Sequence, residues 1–182
     1  YLVRNMESLE FIREHQLLDG GAALICDYTL YTMNRRARAY YQDLGARRVT
    51  VPVELNYPEL LKSGCAGDEM IVYGFLPLMV SAGCLYENVA RCEKVSKNLS
   101  LTDRYHKSFR VRNVCTDCYN LIYNSQPTVL YDMESKLSRL QLGAVRYNFT
   151  DERPEMVRGL LEQPVKNRPE AFTRGHFNRG VE

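Results

Sequence analysis

Four of the six cysteines lie between residues 84 and 118, and their spacing is the first feature that suggests chemistry. Gaps of seven, twenty-two and two residues separate Cys84, Cys92, Cys115 and Cys118. Thiolates bind soft metals, and four of them suit either zinc or an iron–sulfur cluster. Zinc ribbons usually carry two close CxxC pairs, whereas only Cys115 and Cys118 are close here. The spacing therefore favours a 4Fe–4S cluster held in a loop, with zinc as the alternative cofactor.

The CxxC pair could also be a redox dithiol or two ordinary structural thiols, and both possibilities stay open. A thioredoxin-type pair opens a helix just after an early strand, whereas this one precedes the apolar, aromatic segment YNLIYNS. Cys26 lies in an apolar strand and is most simply a buried thiol, and Cys65 lies in a loop. Either of these could replace one of the four candidate ligands.

Polar residues at the predicted strand ends are the candidates for catalysis, because chemistry in β/α barrels collects at the carboxyl ends of strands. Glu54 could act as a base, and Arg146 could clamp a carboxylate or phosphate. His176 is flanked by glycine and arginine residues in the segment TRGHFNRG. Its alternative role is to lie in a tail that packs over the barrel mouth.

A second group of polar residues at these strand ends is predicted to bind the substrate. Its members are Asp27, Asn34, Asn56, Tyr73 and Asn148. For Asp27 and Asn56, capping of the helix that follows is an equally good interpretation. Tyr119 and Tyr123 could stack on a base, although packing in the core is the stronger expectation.

Apolar strand-like segments alternate with amphipathic helical segments through most of the chain, which predicts a parallel sheet. Strands are predicted at 1–5, 22–27, 49–56, 69–75, 128–132 and 144–149. Helices are predicted at about 6–18, 33–44, 58–64, 133–142 and 154–162. Between them, residues 84–127 hold the cysteines and a predicted hairpin at 100–113.

Six parallel strands are too few for a closed barrel, which needs eight. The pattern predicts an α/β fold that is a partial or incomplete (β/α) TIM-type barrel with an inserted cysteine-rich loop and β-hairpin. Residues 1–163 form this barrel part, and residues 164–182 form a tail that packs on it. A doubly wound open sheet is the alternative, although its GxGxxG fingerprint is absent.

Composition restricts the class of protein further. The chain has 182 residues, a hydrophobic fraction of 45% and a formal net charge of +2, which is enough apolar material for one core and too little charge to indicate a dedicated nucleic-acid domain. The basic stretch at 34–40 is best interpreted as a solvated helix face. No apolar run is long enough for a membrane span, and no signal peptide is visible, so a cytoplasmic protein is expected.

Several segments resemble the collagenase-like peptidase family U-32, in its C-terminal barrel half. They are VYGFLPLMVSAGC at 72–84, LTDRYHKSFRVRNVCTDCYNLIYNS at 101–125, FTRGHFNRGVE at 172–182, LICDYTLYTMN at 24–34 and VPVELNYPEL at 51–60. The resemblance covers nearly the whole chain. It departs from the family pattern where many members carry an earlier cysteine within a histidine-glycine motif, because Tyr73, Gly74 and Pro77 stand there.

The resemblance implies an incomplete barrel that binds a four-cysteine 4Fe–4S cluster and supports oxygen-independent hydroxylation. In this sequence Cys84, Cys92, Cys115 and Cys118 match the cluster cysteines. Substrates in different branches of the family are a ribosomal RNA base, a transfer RNA uridine and the ring of a quinone precursor. The departure near Tyr73 leaves the branch undecided.

Three functions follow from these observations. The leading one is an iron–sulfur protein that supports hydroxylation of an RNA base or similar planar substrate. The alternatives are a collagenase-like peptidase that depends on a metal or a thiol, and a zinc-stabilised interaction domain. Because the chain begins at Tyr1, we expect it to be part of a longer enzyme. RNA is an expected partner, and exposed strand edges predict self-association.

Overall fold

The computed structural model describes residues 1–87, 91 and 93–180. They form a mixed α/β protein with three small sheets and five α-helices. The helices are α1 (Met6–Glu14), α2 (Arg35–Asp43), α3 (Tyr57–Ser63), α4 (Glu134–Arg139) and α5 (Pro154–Glu162). The strands are β1 (Leu2–Val3), β2 (Leu24–Cys26), β3 (Ala46–Val49), β4 (Glu69–Gly74), β5 (Pro77–Ser81), β6 (Asn98–Thr102), β7 (Ser108–Val114), β8 (Tyr119–Tyr123), β9 (Thr128–Val129) and β10 (Ala144–Asn148).

The parallel strands follow one another in chain order. β1, β2 and β3 pair in parallel, as do β4 and β10. A parallel bridge between Thr50 and Glu69 joins the two groups, and the Val51 amide donates to the Glu69 carbonyl at 2.8 Å. The predicted β/α alternation is thus present as a parallel β-α-β arrangement, while no closed barrel is found in the described part of the chain.

Two strand predictions need correction. The segment 128–132 was expected to be a sixth parallel strand, but β9 has two residues and runs antiparallel to β4. Its Val129 amide donates to the Thr173 carbonyl, a partner forty-four residues away that no local pattern indicates. The strand predicted at 49–56 was misplaced, because β3 spans Ala46–Val49 and only the isolated bridge at Thr50 follows it. Pro52 has no amide proton to continue a ladder.

Helices α1 and α2 cover the first sheet. Their buried side chains pack with the strands in one cluster, which contains Val3, Leu9, Ile12, Leu24, Cys26, Leu30, Tyr41, Ala46 and Val49. A second cluster lies under α3 and α4 and includes Leu60, Met70, Val72 and Phe177. Full burial of each Leu or Val contributes roughly 2 kcal/mol.

Residues 77–123 form a four-stranded antiparallel sheet in the order β5-β8-β7-β6, which we call the insertion. The hairpin predicted at 100–113 is present as β6 and β7. The insertion leaves and rejoins the parallel region at one place, because Gly74 pairs with Thr128 and the Asn124 amide donates to the Leu76 carbonyl at 2.9 Å.

The segment after α5 packs against the parallel region. Phe177 is buried in the second cluster, and the Tyr57 amide donates to its carbonyl at 2.8 Å. Arg168 and Arg174 both form ion pairs with Asp132. Among the described residues, every helix is too short or too polar to cross a bilayer.

Candidate metal site

The three described cysteines of the insertion lie in connections at one end of its sheet. Cys84 follows β5 by three residues, Cys115 follows β7 directly, and Cys118 directly precedes β8. Because β5 and β7 both run antiparallel to β8, their final residues lie beside the first residues of β8. The connection from β5 to β6 also begins and ends there, since Asn98 pairs with Arg112.

A single amide side chain contacts two of the cysteine sulfurs. Asn113 Nδ2 lies 3.6 Å from Cys84 Sγ and donates to it, and Cys115 Sγ donates to Asn113 Oδ1 at 2.6 Å. The Glu87 amide also donates to Cys84 Sγ, at 3.4 Å. Hydrogen bonds to cysteine sulfurs also occur around metal clusters, so these two donors are compatible with a ligand role for Cys84.

A buried pair of asparagines holds this arrangement in place. Asn113 and Asn120 face each other across β7 and β8, and Asn113 Nδ2 donates to Asn120 Oδ1 at 2.9 Å. Asn120 Nδ2 in turn donates to the Gly83 carbonyl at 2.5 Å, next to Cys84. Both side chains are almost fully buried. The pair therefore fastens the loop after β5 to the middle of the sheet.

The turn between β7 and β8 presents the CxxC pair. Cys118 has a positive φ of 54°, and its Sγ lies 3.9 Å from the Cys115 carbonyl. A positive φ is uncommon for a residue with a side chain and is often found at functional positions. On the other side, the Cys115 amide donates to Ser96 Oγ at 3.1 Å and its Sγ lies 3.2 Å from the Val95 carbonyl.

Cys92, the remaining predicted ligand, lies outside the described residues. In the part of the chain that the structure describes, no group of three or more Cys, His, Asp or Glu side chains is gathered closely enough to hold a metal ion. The residue types at Cys84, Cys115 and Cys118 suit a thiolate metal site, although the described structure does not gather their sulfurs into one.

The remaining two cysteines lie in the parallel region. Cys26 is fully buried in the first core cluster, and burial raises the pKa of its thiol to about 11. Cys65 is buried in the second cluster, and burial raises its pKa as well. Both thiols are therefore protonated at neutral pH, and they belong to clusters formed by different parts of the chain.

Two of the three predicted catalytic residues lie close to one polar cluster on the parallel strands. Arg146 Nη2 donates to Asp27 Oδ1 at 2.5 Å, and Arg146 Nη1 lies 3.2 Å from Glu69 Oε1 without hydrogen-bond geometry. Arg4 Nε donates to the second Asp27 oxygen at 2.8 Å. Thr50 Oγ1 donates to Glu69 Oε1 at 3.0 Å. The carboxylates of Asp27 and Glu69 are thus both paired with Arg146.

The ion pair between Asp27 and Arg146 requires a curved sheet. Asp27 follows β2, and Arg146 lies on β10, with β3 and β4 between these strands. Strands three positions apart in a flat sheet are separated by about 14 Å, which is farther than an arginine side chain reaches. The parallel strands therefore curve around the side where these two side chains meet.

Glu54 lies near the same cluster. Burial raises the pKa of the Tyr28 hydroxyl, the charges of Asp27 and Glu54 raise it further, and Arg4 and Arg146 lower it. Glu54 Oε2 is buried without a hydrogen-bond partner among the described residues. His176, the third candidate, is exposed, and its Nδ1 lies 2.9 Å from the Gly180 carbonyl in the tail.

The residues predicted to bind substrate are placed by local structure. Asp27 caps the short 3₁₀ helix Tyr28–Leu30, and Asn34 and Asn56 cap α2 and α3. Asn148 lies on β10 directly beside Gly74. A Cβ atom added at Gly74 would come within 2.4 Å of the Asn148 carbonyl oxygen.

Tyr73 is fully buried against Tyr147 and Phe149. Its hydroxyl forms no hydrogen bond of good geometry to a described residue, and burial, followed by the nearby Glu152 carboxylate, raises its pKa. These residues do not converge on one described site.

The two basic stretches of the sequence also have structural partners. From α2, Arg35 donates to the Ser63 and Lys62 carbonyls, and Arg38 donates to the Gly64 and Ala66 carbonyls. These contacts cap the carboxyl end of α3. In the second stretch, Arg174 pairs with Asp132.

Sequence reasoning missed Asn113 and Asn120. They stand two residues before Cys115 and two residues after Cys118, in the segment NVCTDCYN. That symmetry was the available signal, because residues placed symmetrically about a short hairpin turn face each other across the two strands.

Sequence reasoning also missed a cavity of about 360 Å³ at the insertion. It is lined by residues 96–99, 110–113, Tyr123, Thr150 and Asp151. Ser96 and Asn113, which line it, also contact Cys115. A ligand in the cavity would thus lie close to the candidate metal site.

Comparison with known proteins adds no family assignment. No protein-family model, no curated protein and no solved structure matches this chain.

Proposed function

We propose that this chain is part of an iron–sulfur enzyme of the U-32 type that supports oxygen-independent hydroxylation of an RNA base or similar planar substrate. The observation that carries the proposal is the Asn113 amide, which contacts the sulfurs of both Cys84 and Cys115. Cys118 lies in the same turn, and the connection that contains Cys92 begins and ends at this end of the sheet.

The cysteines Cys84, Cys92, Cys115 and Cys118 would hold the 4Fe–4S cluster. When bound, such a cluster supplies electron transfer or activates an oxygen donor without dioxygen. A cytoplasmic location fits this assignment, because thiols stay reduced there.

The parallel region would supply the framework, as an incomplete (β/α) TIM-type barrel. Its strands follow the chain order, and the Asp27–Arg146 ion pair requires them to curve. Arg146 is engaged by two carboxylates, so its role is to fix the inner side of the sheet. Glu54 Oε2 has no hydrogen-bond partner among the described residues, so Glu54 is a better candidate than Arg146 for accepting a proton. Tyr123 offers a ring for stacking beside the cavity.

The test is anaerobic purification followed by a visible spectrum and analysis for iron, sulfide and zinc. We expect a brown protein that contains iron and sulfide, and we expect Cys115→Ala to bleach it. Cys65→Ala is the matched control, because Cys65 lies in the second core cluster and should leave the colour unchanged. A colourless wild type, or colour that survives Cys115→Ala, contradicts the proposal.

One observation also favours a zinc-stabilised interaction domain. Val111 is the one buried apolar side chain among the described residues of the insertion, so this sheet needs a cross-link of some kind. A single zinc ion bound by four sulfurs would provide it. Zinc without iron or sulfide in the same metal analysis would support this alternative.

A further inference from the structure

The hairpin formed by β6 and β7 is far more positively charged than the net charge of the whole chain indicates. Residues 94–112 contain six cations and one carboxylate, which gives this segment a net charge of +5. The whole chain has a net charge of +2, so the remaining residues together carry −3. The cations are Lys94, Lys97, Arg104, Lys107, Arg110 and Arg112. Such a local excess marks a surface for a polyanion.

The structure presents these charges to solvent along one element. Arg104 and Lys107 lie in the exposed turn of the hairpin, and Arg112 is exposed on β7. Arg110 and Arg112 are two residues apart on one strand, so their side chains lie on the same face of the sheet. Asp103, the one carboxylate, is used to shape the turn, because its Oδ1 accepts from the Tyr105 and Lys107 amides.

The cation pairings differ along this surface. Lys97 is paired with Glu93, and Arg110 is paired with Asp151 and lies 4.0 Å from the Phe75 ring centroid. Arg112 has no carboxylate partner among the described residues, although it lines the cavity of about 360 Å³. It is therefore available to an anionic group of a ligand.

Aromatic rings accompany the charges. Tyr105 at the hairpin turn is 67% exposed, and the Arg104 guanidinium lies 4.7 Å from its ring centroid. Tyr123 lines the cavity beside Arg112. Exposed rings among cations are the arrangement on which single-stranded nucleic acids stack their bases, at about 1–3 kcal/mol per base. Because every base offers a ring face for stacking, the combination of rings and charges favours a single-stranded nucleic acid over an acidic protein segment.

We propose that the β6–β7 hairpin is a docking surface for single-stranded RNA. Arg104, Lys107 and Arg112 bind phosphates, and an unpaired base enters the cavity, which has the volume of a small-ligand pocket. The choice of RNA as the nucleic acid rests on the proposed function. Since Ser96 and Asn113 line the cavity and contact Cys115, the bound base lies beside the candidate metal site.

The test is fluorescence anisotropy with a labelled oligouridylate, measured over a range of salt concentrations. The variant Arg104→Glu, Lys107→Glu, Arg112→Glu should bind at least about tenfold more weakly at fixed salt. The slope of log K against log salt should fall by about 2, because each phosphate contact on a single strand contributes about 0.7. The control variant Arg36→Glu, Arg47→Glu, Lys166→Glu changes the total charge equally at exposed sites outside the hairpin. It should bind within about twofold of the wild type.

Several outcomes would overturn the proposal. One is equal weakening in both variants, which would show general charge attraction. Another is tighter binding of polyglutamate or phosphatidylserine vesicles than of the oligouridylate. Single substitutions Arg112→Gln and Tyr105→Ala, which leave the turn contacts of Asp103 in place, test the idea if the triple variant fails to fold. Each should weaken binding about threefold or more, and unchanged binding in both would count against the proposal.

Failure of this proposal and failure of the proposed function give different results. If the protein is colourless but binds the oligouridylate through the hairpin, the docking surface stands and the cluster does not. If the protein is brown but neither variant affects RNA binding, the cluster stands and the docking surface does not. Metal content of the triple variant should equal that of the wild type, since none of its three residues contacts a cysteine sulfur in the described structure.

Discussion

The parallel region and the insertion are stabilised by different kinds of contact. In the parallel region three clusters of buried apolar side chains hold helices against strands. In the insertion, Val111 is the one buried apolar side chain among the described residues, and Asn113 and Asn120 occupy the remaining buried positions. Side chains on β5 such as Leu78 and Val80 are exposed instead.

From this difference in core size we expect the parallel region to fold without help from the insertion. Burial of about 2 kcal/mol per large apolar side chain, repeated over three clusters, can offset the entropy of ordering the parallel region. A sheet with so small a core resembles the small domains that rely on a metal for stability. We therefore expect the insertion to depend on its polar contacts and on a metal bound by its cysteines.

The largest expected effect tests that dependence directly. The double substitution Cys115→Ser, Cys118→Ser should abolish slow amide exchange in β7 and β8, because metal binding and folding are coupled in such sites. Slow exchange in β2 and β3 should remain. Cys65→Ala provides the opposite case, with reduced protection in β4 and no change in β8. Hydrogen exchange measured by mass spectrometry tests this. An equal loss of protection in both regions would show that they unfold together.

An intermediate effect is expected from matched leucine truncations. Leu9 is fully buried on α1, so Leu9→Ala should lower the free energy of unfolding by about 2–5 kcal/mol. Leu101 on β6 is 38% exposed, and Leu101→Ala should cost less than about 1 kcal/mol. Urea denaturation followed by circular dichroism measures both values. Equal losses would show that the insertion has a core of its own.

The smallest effect concerns pH and distinguishes two carboxylates of the parallel region. Hydrogen bonds from Arg174, together with Arg168, lower the pKa of Asp132 to about 2 against the opposing effect of burial. Its contribution to stability is thus full above about pH 4 and is lost as the pH falls towards 2. At pH 7, Asp132→Asn should cost about 1–2 kcal/mol, and the cost should disappear below pH 2.

For Asp68 the expected change of stability with pH has the opposite sign. Burial raises its pKa to about 6, although Arg38 lies 2.8 Å away and opposes the change. The folded state therefore binds more protons than the unfolded state between about pH 4 and 6, and stability falls as the pH rises through this range. NMR titration of the two carboxyl carbons gives both pKa values. A titration of Asp68 near pH 4 would contradict this expectation.

The contrast between local and long-range contacts explains which elements could be predicted from the sequence. Amphipathic periodicity predicted α2 and α5 closely, because each buries one face on a sheet. The predicted helix at 6–18 is shorter in the structure, and Gln16 takes a positive φ just after it. β9 was predicted wrongly because its partners, Thr173 and β4, are far away in the sequence.

In the candidate site, too, some features could be predicted from residue type and others depend on the pairing of strands. Cysteine spacing predicted the metal ligands from residue type alone, and their binding of a metal stays a prediction. The role of Asn113 depends on strand register, and the positive charge of the hairpin was diluted in the total for the whole chain. Neither property is visible until the strands are paired. Self-association through strand edges left exposed by an incomplete barrel stays a prediction.

The insertion begins and ends at the same place on the parallel region, so it is a separable segment of the chain. Gly74 and Thr128 are paired, and Asn124 is hydrogen-bonded to Leu76, so the intervening residues form a closed excursion from one point. Such a segment can be exchanged, lengthened or deleted in a lineage without moving the strands on either side. The hydrogen-bonded ladders of the parallel strands therefore remain complete whatever occupies the space of the attached sheet.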